Sequence, residues 1–242
     1  MMSDRPGVVV TGAAGGIGRA VVARLATDWD VVAVDRSDEV FTLAGPHVTT
    51  LTGDVSDRTT HERAAAMTRN LRGWVNNAAV QLPGSAGTVT EADARRQLEV
   101  NVLGTMWGCT AAVGGMASGG AIVSISSIHA VLGFTGAFAY AATKGAVVAL
   151  ARQVAVEYGP RGIRSNSVLP GAIDTPMCSQ EWASATDPAA ARAADEGLHL
   201  MHRMGTPDEV AAVVAFLLAD DSSLINGQQI IADGGATARP PL

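Results

Sequence analysis

The chain reads as a single α/β domain: a doubly wound, mostly parallel sheet of seven strands flanked by helices. Three observations predict this. Short runs rich in valine and isoleucine alternate with longer helix-like segments. Several of those runs lack clean apolar–polar alternation, as expected of strands buried on both faces. No proline- or serine-rich linker and no internal repeat divides the 242 residues. Strands alternating with helices imply parallel pairing through helical crossovers.

In chain order the strand-like runs are Gly7 to Thr11, Val31 to Asp35, Val48 to Leu51, Trp74 to Asn76, Ala121 to Ser126, Ile163 to Leu169 and Gln229 to Ala232. Helix-like segments include Gly18 to Thr27, Glu91 to Val113, Ala139 to Tyr158 and Asp208 to Ala219. The least regular stretch, Asp174 to Met204, carries Pro176, Pro188 and many alanines. It is too long for an ordinary connection. A partly helical lid or substrate loop is expected at about 174–204.

Composition narrows the function. Apolar residues make up 48% and charged residues 17%, enough for a substantial core. A net charge of −6 argues against nucleic acid as a partner. Backbone N–H groups can still hold the phosphates of a nucleotide. Cys109 and Cys178 are too few and too isolated for a disulfide framework or a metal cluster, so reduced thiols and no metal are expected. The N-terminus has no apolar stretch of signal-peptide length, and no run of eighteen apolar residues occurs. A cytoplasmic protein that does not associate with membranes is expected.

The segment TGAAGGIG, Thr11 to Gly18, follows the first strand and opens a helical segment. Gly12 suits the sharp turn, Gly16 or Gly15 a close backbone approach, and Gly18 the helix–strand contact. The helix N-terminus then offers free N–H groups to a pyrophosphate. Gly12, Gly15, Gly16, Ile17 and Gly18 are therefore candidate cofactor contacts. The next strand ends in Asp35, whose carboxylate suits the adenosine ribose hydroxyls and repels a 2′-phosphate. This favours NAD over NADP, although Arg36 next door offers a guanidinium that could pair with such a phosphate.

Tyr140 and Lys144 stand four apart on a helix-like segment and so share a face. An ammonium beside a phenol favours the phenolate, lowering a pKa that starts near ~10 and making tyrosine a usable acid or base. Thirteen residues before Tyr140 comes Ser127, at the end of the run AIVSIS. The carboxyl ends of parallel strands are where such sheets hold ligands. A hydroxyl there can bond a substrate oxygen. Asn101, in LEVNVLG, is a polar residue inside an apolar helical stretch.

Taken together, these motifs resemble the classical short-chain dehydrogenase/reductase family over nearly the whole chain. TGAAGGIG matches its TGxxxGxG turn, Asp54 and Val55 its adenine-contacting pair, and Asn76 to Ala79 approximates its NNAG element. Asn101, Ser127, Tyr140 and Lys144 fall at the positions of its catalytic tetrad. Pro170, Gly171, Ile173 and Thr175 match the segment that contacts the nicotinamide carboxamide. The tail RMGTPDEVAAVVAFLLADDSSLINGQQIIADGG is also similar.

The resemblance implies a Rossmann-like fold and a homotetramer. It also implies roles. Tyr140 would exchange a proton with the substrate oxygen. Lys144 would lower its pKa and hold the nicotinamide ribose, Ser127 would polarise the carbonyl, and Asn101 would hold a water. Asn77, Ala78 and Ala79 would lie along the cofactor. Two departures stand out: Ala79 replaces the usual glycine, and Asp57 to Asn76 is shorter than is common.

Substrate contacts are expected from His129, Leu132 and Phe134, and from Met177, Trp182 and Met201 in the lid, besides Ser127. An NAD(H)-dependent oxidoreductase interconverting a secondary alcohol and a ketone is the leading reading. The alternatives are an NADPH-dependent 3-oxoacyl thioester reductase and, from another class, a catalytically idle NAD-binding regulatory or scaffold protein. The intact set of four argues against the last.

Overall fold

A computed structural model describes residues 5–117 and 119–238. Seven strands form one sheet: β1 (Gly7–Thr11), β2 (Asp30–Asp35), β3 (Val48–Thr52), β4 (Leu71–Asn76), β5 (Gly120–Ile125), β6 (Ile163–Pro170) and β7 (Gln229–Ala232). Their order is β3-β2-β1-β4-β5-β6-β7, and every pairing is parallel. The expected sheet was mostly parallel; among the described residues no antiparallel strand joins it. The chain leaves β1 towards one edge and crosses back to β4 on the other side. The crevice at the carboxyl ends of β1 and β4 is therefore the switch point at which such sheets bind ligands.

The helices are α1 (Gly16–Leu25), α2 (Arg58–Ala66), α3 (Glu91–Gln97), α4 (Gly104–Gly115), α5 (Phe138–Tyr158), α6 (Pro176–Ser184), α7 (Pro188–Leu198) and α8 (Pro207–Leu218). The strand period of two splits the core. Val8 and Val10 of β1 pack towards α1 and α8, with Val21, Val22, Val210 and Val214. Val9 faces the opposite layer, with Trp74, Cys109, Ala112, Ile122 and Val154. Both faces are covered, which accounts for the unalternating valine runs.

Several boundaries differ from expectation, each for a physical reason. β4 begins at Leu71 rather than Trp74, because Leu71 is itself buried in the α4-side core. α1 begins at Gly16 rather than Gly18, since the glycine turn winds directly into it. The expected helix over Glu91 to Val113 is interrupted by a π-helical turn at Leu98–Leu103. α8 opens on a capping box: Thr206 accepts from the Glu209 N–H while Glu209 accepts from Thr206, and Pro207 fills the first turn. The irregular stretch beyond Asp174 contains α6 and α7.

Candidate active site

The glycine turn sits at the carboxyl end of β1. Gly12 has φ +65°, a left-handed conformation that favours glycine, and a Cβ there would approach the Ala78 backbone. A Cβ at Gly18 would collide with the Gly12 carbonyl. Gly16 lies against Thr175, the residue before α6, whereas Gly15 is exposed and uncrowded. Of the two candidates for close approach, Gly16 is thus the crowded one and Gly15 the open one. Gly15 caps α1 without a side-chain bond, which leaves first-turn N–H groups for an anion. Ile17 turns inward against the core.

Side chains lock this turn in place. Asn77 donates from Nδ2 to the carbonyls of Thr11 and Gly12, each at 3.0 Å. The Thr11 hydroxyl accepts from the N–H groups of Asn77 and Ala78. One Asp35 oxygen accepts from the Ala14 N–H and the other from the Ser37 N–H, both at 2.9 Å. The carboxylate therefore stands at the lip of the glycine turn. Arg36 is exposed.

Asp54 accepts from the Ser56 N–H and hydroxyl and from Arg96 at 2.9 Å. Burial raises its pKa, but these bonds and the Arg96 charge outweigh it and hold the carboxyl at about 2. Val55 is buried, and its carbonyl meets His61 Nε2 at 2.8 Å. Ala79 is partly buried beside Ala78. Asn76, the first residue of the NNAA element, is structural: it accepts from the Trp74 indole and donates to Ser124.

Asn101 occupies the π-helical turn. Its amide makes a two-way pair with the Val80 backbone, accepting at 2.8 Å and donating at 2.9 Å. Nδ2 also donates to the Thr143 hydroxyl at 3.0 Å, and Thr143 in turn donates to the Tyr140 carbonyl at 2.7 Å. An extra residue in the helical turn turns a side chain to where a regular helix would not put it, and such turns recur at functional sites.

Ser127, Tyr140 and Lys144 come together where β5 ends. Lys144 is buried, donates from Nζ to the Ile125 carbonyl at 2.9 Å, and stands 5.4 Å from the Tyr140 ring centre. Burial pulls its pKa down to about 8, so it keeps its charge at neutrality. Burial pushes the Tyr140 phenol above its ordinary value. A hydrogen bond with Ser127 opposes the rise, and Cys178 and Glu181 of α6 add to it. Desolvation of the ring is the largest influence on the phenol, and Lys144 Nζ spends one of its three donors on the Ile125 carbonyl.

The remaining positions divide sharply. His129 Nδ1 lies 3.0 Å from Ser127 Oγ, and its ring stacks on Phe134 at 4.2 Å. Pro170 ends β6, and Gly171 packs against His199 and Asp233, where a Cβ would clash. Ile173 is buried and bridges to Gly205. In the region expected as a lid, Met177 and Met201 are exposed. Trp182 is buried instead, donating to Asp195 of α7 at 2.7 Å beneath Arg192. It therefore packs α6 on α7 and does not stand open to a substrate. Leu132 is partly buried, and its N–H bonds the Ile128 carbonyl.

Sequence reasoning missed several contributors. Gln81 donates to Glu181 at 3.2 Å, linking α6 to the segment after β4. Buried His199 accepts from the Ala172 N–H at 3.1 Å and braces the segment after β6. Thr143 couples Asn101 to α5. Only Thr143 left a sequence signal, as a polar residue one turn from Tyr140. Among the described residues no His, Cys, Asp or Glu cluster is arranged to hold a metal, and no helix is long and apolar enough to cross a membrane.

A family model described as enoyl-(acyl carrier protein) reductase matches residues 12–237. The chain is 33% identical to 3beta-hydroxysteroid dehydrogenase 1 of Eggerthella lenta over 96% of this chain and 94% of that protein. Its fold superposes on the crystal structure of levodione reductase with a TM-score of 0.91 at 33% identity, covering 99% of this chain and 100% of the other. A structure of ElxO with NADP bound gives 0.88 at 29% identity, covering 97% and 100%.

Proposed function

The chain belongs to the short-chain dehydrogenase/reductase family of oxidoreductases, and on that premise we propose that it interconverts a secondary alcohol and a ketone using NAD(H). One observation carries this reading: Ser127, Tyr140 and Lys144 converge at the carboxyl end of β5, beside the crevice that the glycine turn of β1 opens onto. The turn fits a dinucleotide, with left-handed Gly12, an open Gly15 and first-turn N–H groups free of side-chain caps.

The bound nicotinamide supplies the hydride acceptor or donor. Tyr140, protonated through burial, donates to the substrate oxygen as a ketone is reduced and takes the proton back in the reverse direction. Lys144 keeps a positive charge beside it and steadies charge that develops there. Ser127 bonds the same substrate oxygen, and Asn101 with Thr143 anchors α5 in register. In this reading the stretch 174–204 covers the site as a lid.

Asp35 supports NAD over NADP, because its carboxylate flanks the turn where a 2′-phosphate would crowd it. An NADPH-dependent 3-oxoacyl thioester reductase is a second reading, favoured by the NADP in ElxO; the family model's description shares with it the acyl thioester, while an enoyl reductase acts on a carbon–carbon double bond. The apolar residues exposed on the π-helical turn, α4 and α5, Leu103, Met106, Phe138 and Val156, support a homotetramer built through that face. The deciding experiment is an NAD⁺-versus-NADP⁺ screen across steroids, sugars, cyclic diols and 3-hydroxyacyl thioesters. Turnover of a secondary alcohol with NAD⁺ is expected. Turnover of the thioesters alone with NADP⁺ would establish the second reading.

A further inference from the structure

Ser127 caps a short 3₁₀ turn, Ile128–Ala130, and its Oγ accepts from the His129 N–H at 3.2 Å. The same Oγ lies 3.0 Å from His129 Nδ1. A serine hydroxyl has a single proton to give. If Nδ1 carries no proton, the hydroxyl points its own at the ring and away from any substrate oxygen. If Nδ1 carries the proton, the ring donates to Oγ, and the hydroxyl gives its own proton towards the Tyr140 phenol, to which it is hydrogen-bonded, where a substrate oxygen would sit.

The ring has little freedom to leave this contact. It stacks on Phe134 and meets the Tyr140 ring edge-on at 5.2 Å. Burial, and then the charge of Lys144, pull its pKa down to about 4, so one ring nitrogen carries a proton at neutrality and the other does not. Which nitrogen carries it is fixed by hydrogen bonding.

We infer that His129 is a positioning residue that orients the Ser127 hydroxyl, its Nδ1–H donating to Ser127 so that Ser127 donates to the substrate oxygen. Two aligned donors polarise each other, so the second bond is stronger than an isolated serine would make. The inference rests on the reading of Ser127 as a donor to that oxygen. It assigns His129 a different part from the direct substrate contact expected from its position.

The test uses full-length protein carrying His129→Leu or His129→Asn, the latter placing an amide N–H close to where Nδ1 sits. The probe is whichever secondary alcohol of the screen turns over fastest. His129→Leu is expected to lower kcat roughly tenfold with KM and NADH affinity little changed, and His129→Asn to restore most of it. Equal loss in both variants, no loss in either, or a change confined to KM would overturn the inference.

Nitrogen-15 NMR of histidine-labelled, NADH-bound protein reads the contact without any substrate. The His129 signals should report a neutral Nδ1–H tautomer and shift on Ser127→Ala. A ring protonated only at Nε2, or no shift, would count against it. Tyr140→Phe separates the two levels: an inactive Tyr140→Phe beside a fully active His129→Leu ends this inference alone, whereas an active Tyr140→Phe ends the reading beneath it.

Discussion

The two walls of the candidate site are built differently. The wall formed by β1, β4, β5 and α5 is buried, and its polar atoms are spoken for: Asn77 on the Thr11 and Gly12 carbonyls, Asn101 on the Val80 backbone, Lys144 on the Ile125 carbonyl. The wall formed by α6 and α7 is largely exposed. α7 buries no residue fully, and α6 is held chiefly by Trp182 on Asp195 and Gln81 on Glu181. The contrast divides the labour. The packed wall holds the reacting groups in place, and the loosely held one is free to differ in sequence and to open.

The sharpest way to break this contrast is at Tyr140. Tyr140→Phe removes one oxygen from the packed wall and should cut turnover by roughly 10²–10⁴-fold while NADH binding, followed by fluorescence, persists. Substantial remaining turnover would remove the acid–base role assigned to that wall. Next in size is Asp35→Ser. It should raise kcat/KM with NADP⁺ relative to NAD⁺ roughly tenfold or more, by removing a negative charge from beside the 2′ position. An unchanged cofactor ratio would mean that the carboxylate does not face the ribose.

A pH series sharpens the contrast through stability. Burial lowers the pKa of both His61 and His129, the latter to about 4, so both stay neutral in the folded protein where the unfolded chain would protonate. The unfolded state then binds more protons. Their contribution is fully present above pH ~6.5 and is lost as the pH falls towards the folded values. The urea midpoint should drop between pH 7 and pH 5, and His61→Met should flatten that dependence. The smallest effect is expected from Trp182→Phe, which loses one hydrogen bond worth about 1 kcal/mol. Its signature is a few-fold change in KM with little change in Tm; a large fall in Tm would show that α6 and α7 belong to the cooperative core.

The same division explains what was legible in the sequence. The glycine turn could be read because a left-handed Gly12 and a crowded Gly18 admit almost no other residue. For the central strands, identity followed from two-sided burial, which favours valine and isoleucine, whereas the edge strands β3 and β7 are largely exposed or half-buried. Tyr140 and Lys144 showed through the fixed spacing of a helix. Gln81 with Glu181, and His199 with Ala172, stayed hidden because each pair is distant in the chain and meets only once the sheet has formed. Trp182 misled for the same reason. A large aromatic in an irregular stretch looked like a substrate wall, but Asp195 thirteen residues on gives its indole a partner inside the flap. The π-helical turn was invisible because LEVNVL carries no glycine or proline to mark an irregularity, and Asn101 finds its partner in the distant Val80 backbone.

That π-helical turn has a consequence for how the gene can change. Each residue added to or removed from a helix rotates everything after it by about 100°. Deleting one residue between Leu98 and Leu103 would let the segment relax into regular helix, at the expense of either Asn101 or the face that α4 turns to Trp74. Point substitutions at exposed Glu99, outside the apolar face proposed to meet another subunit, should accumulate freely among descendants of this chain. Insertions and deletions there should be purged, so its length is inherited more strictly than its letters.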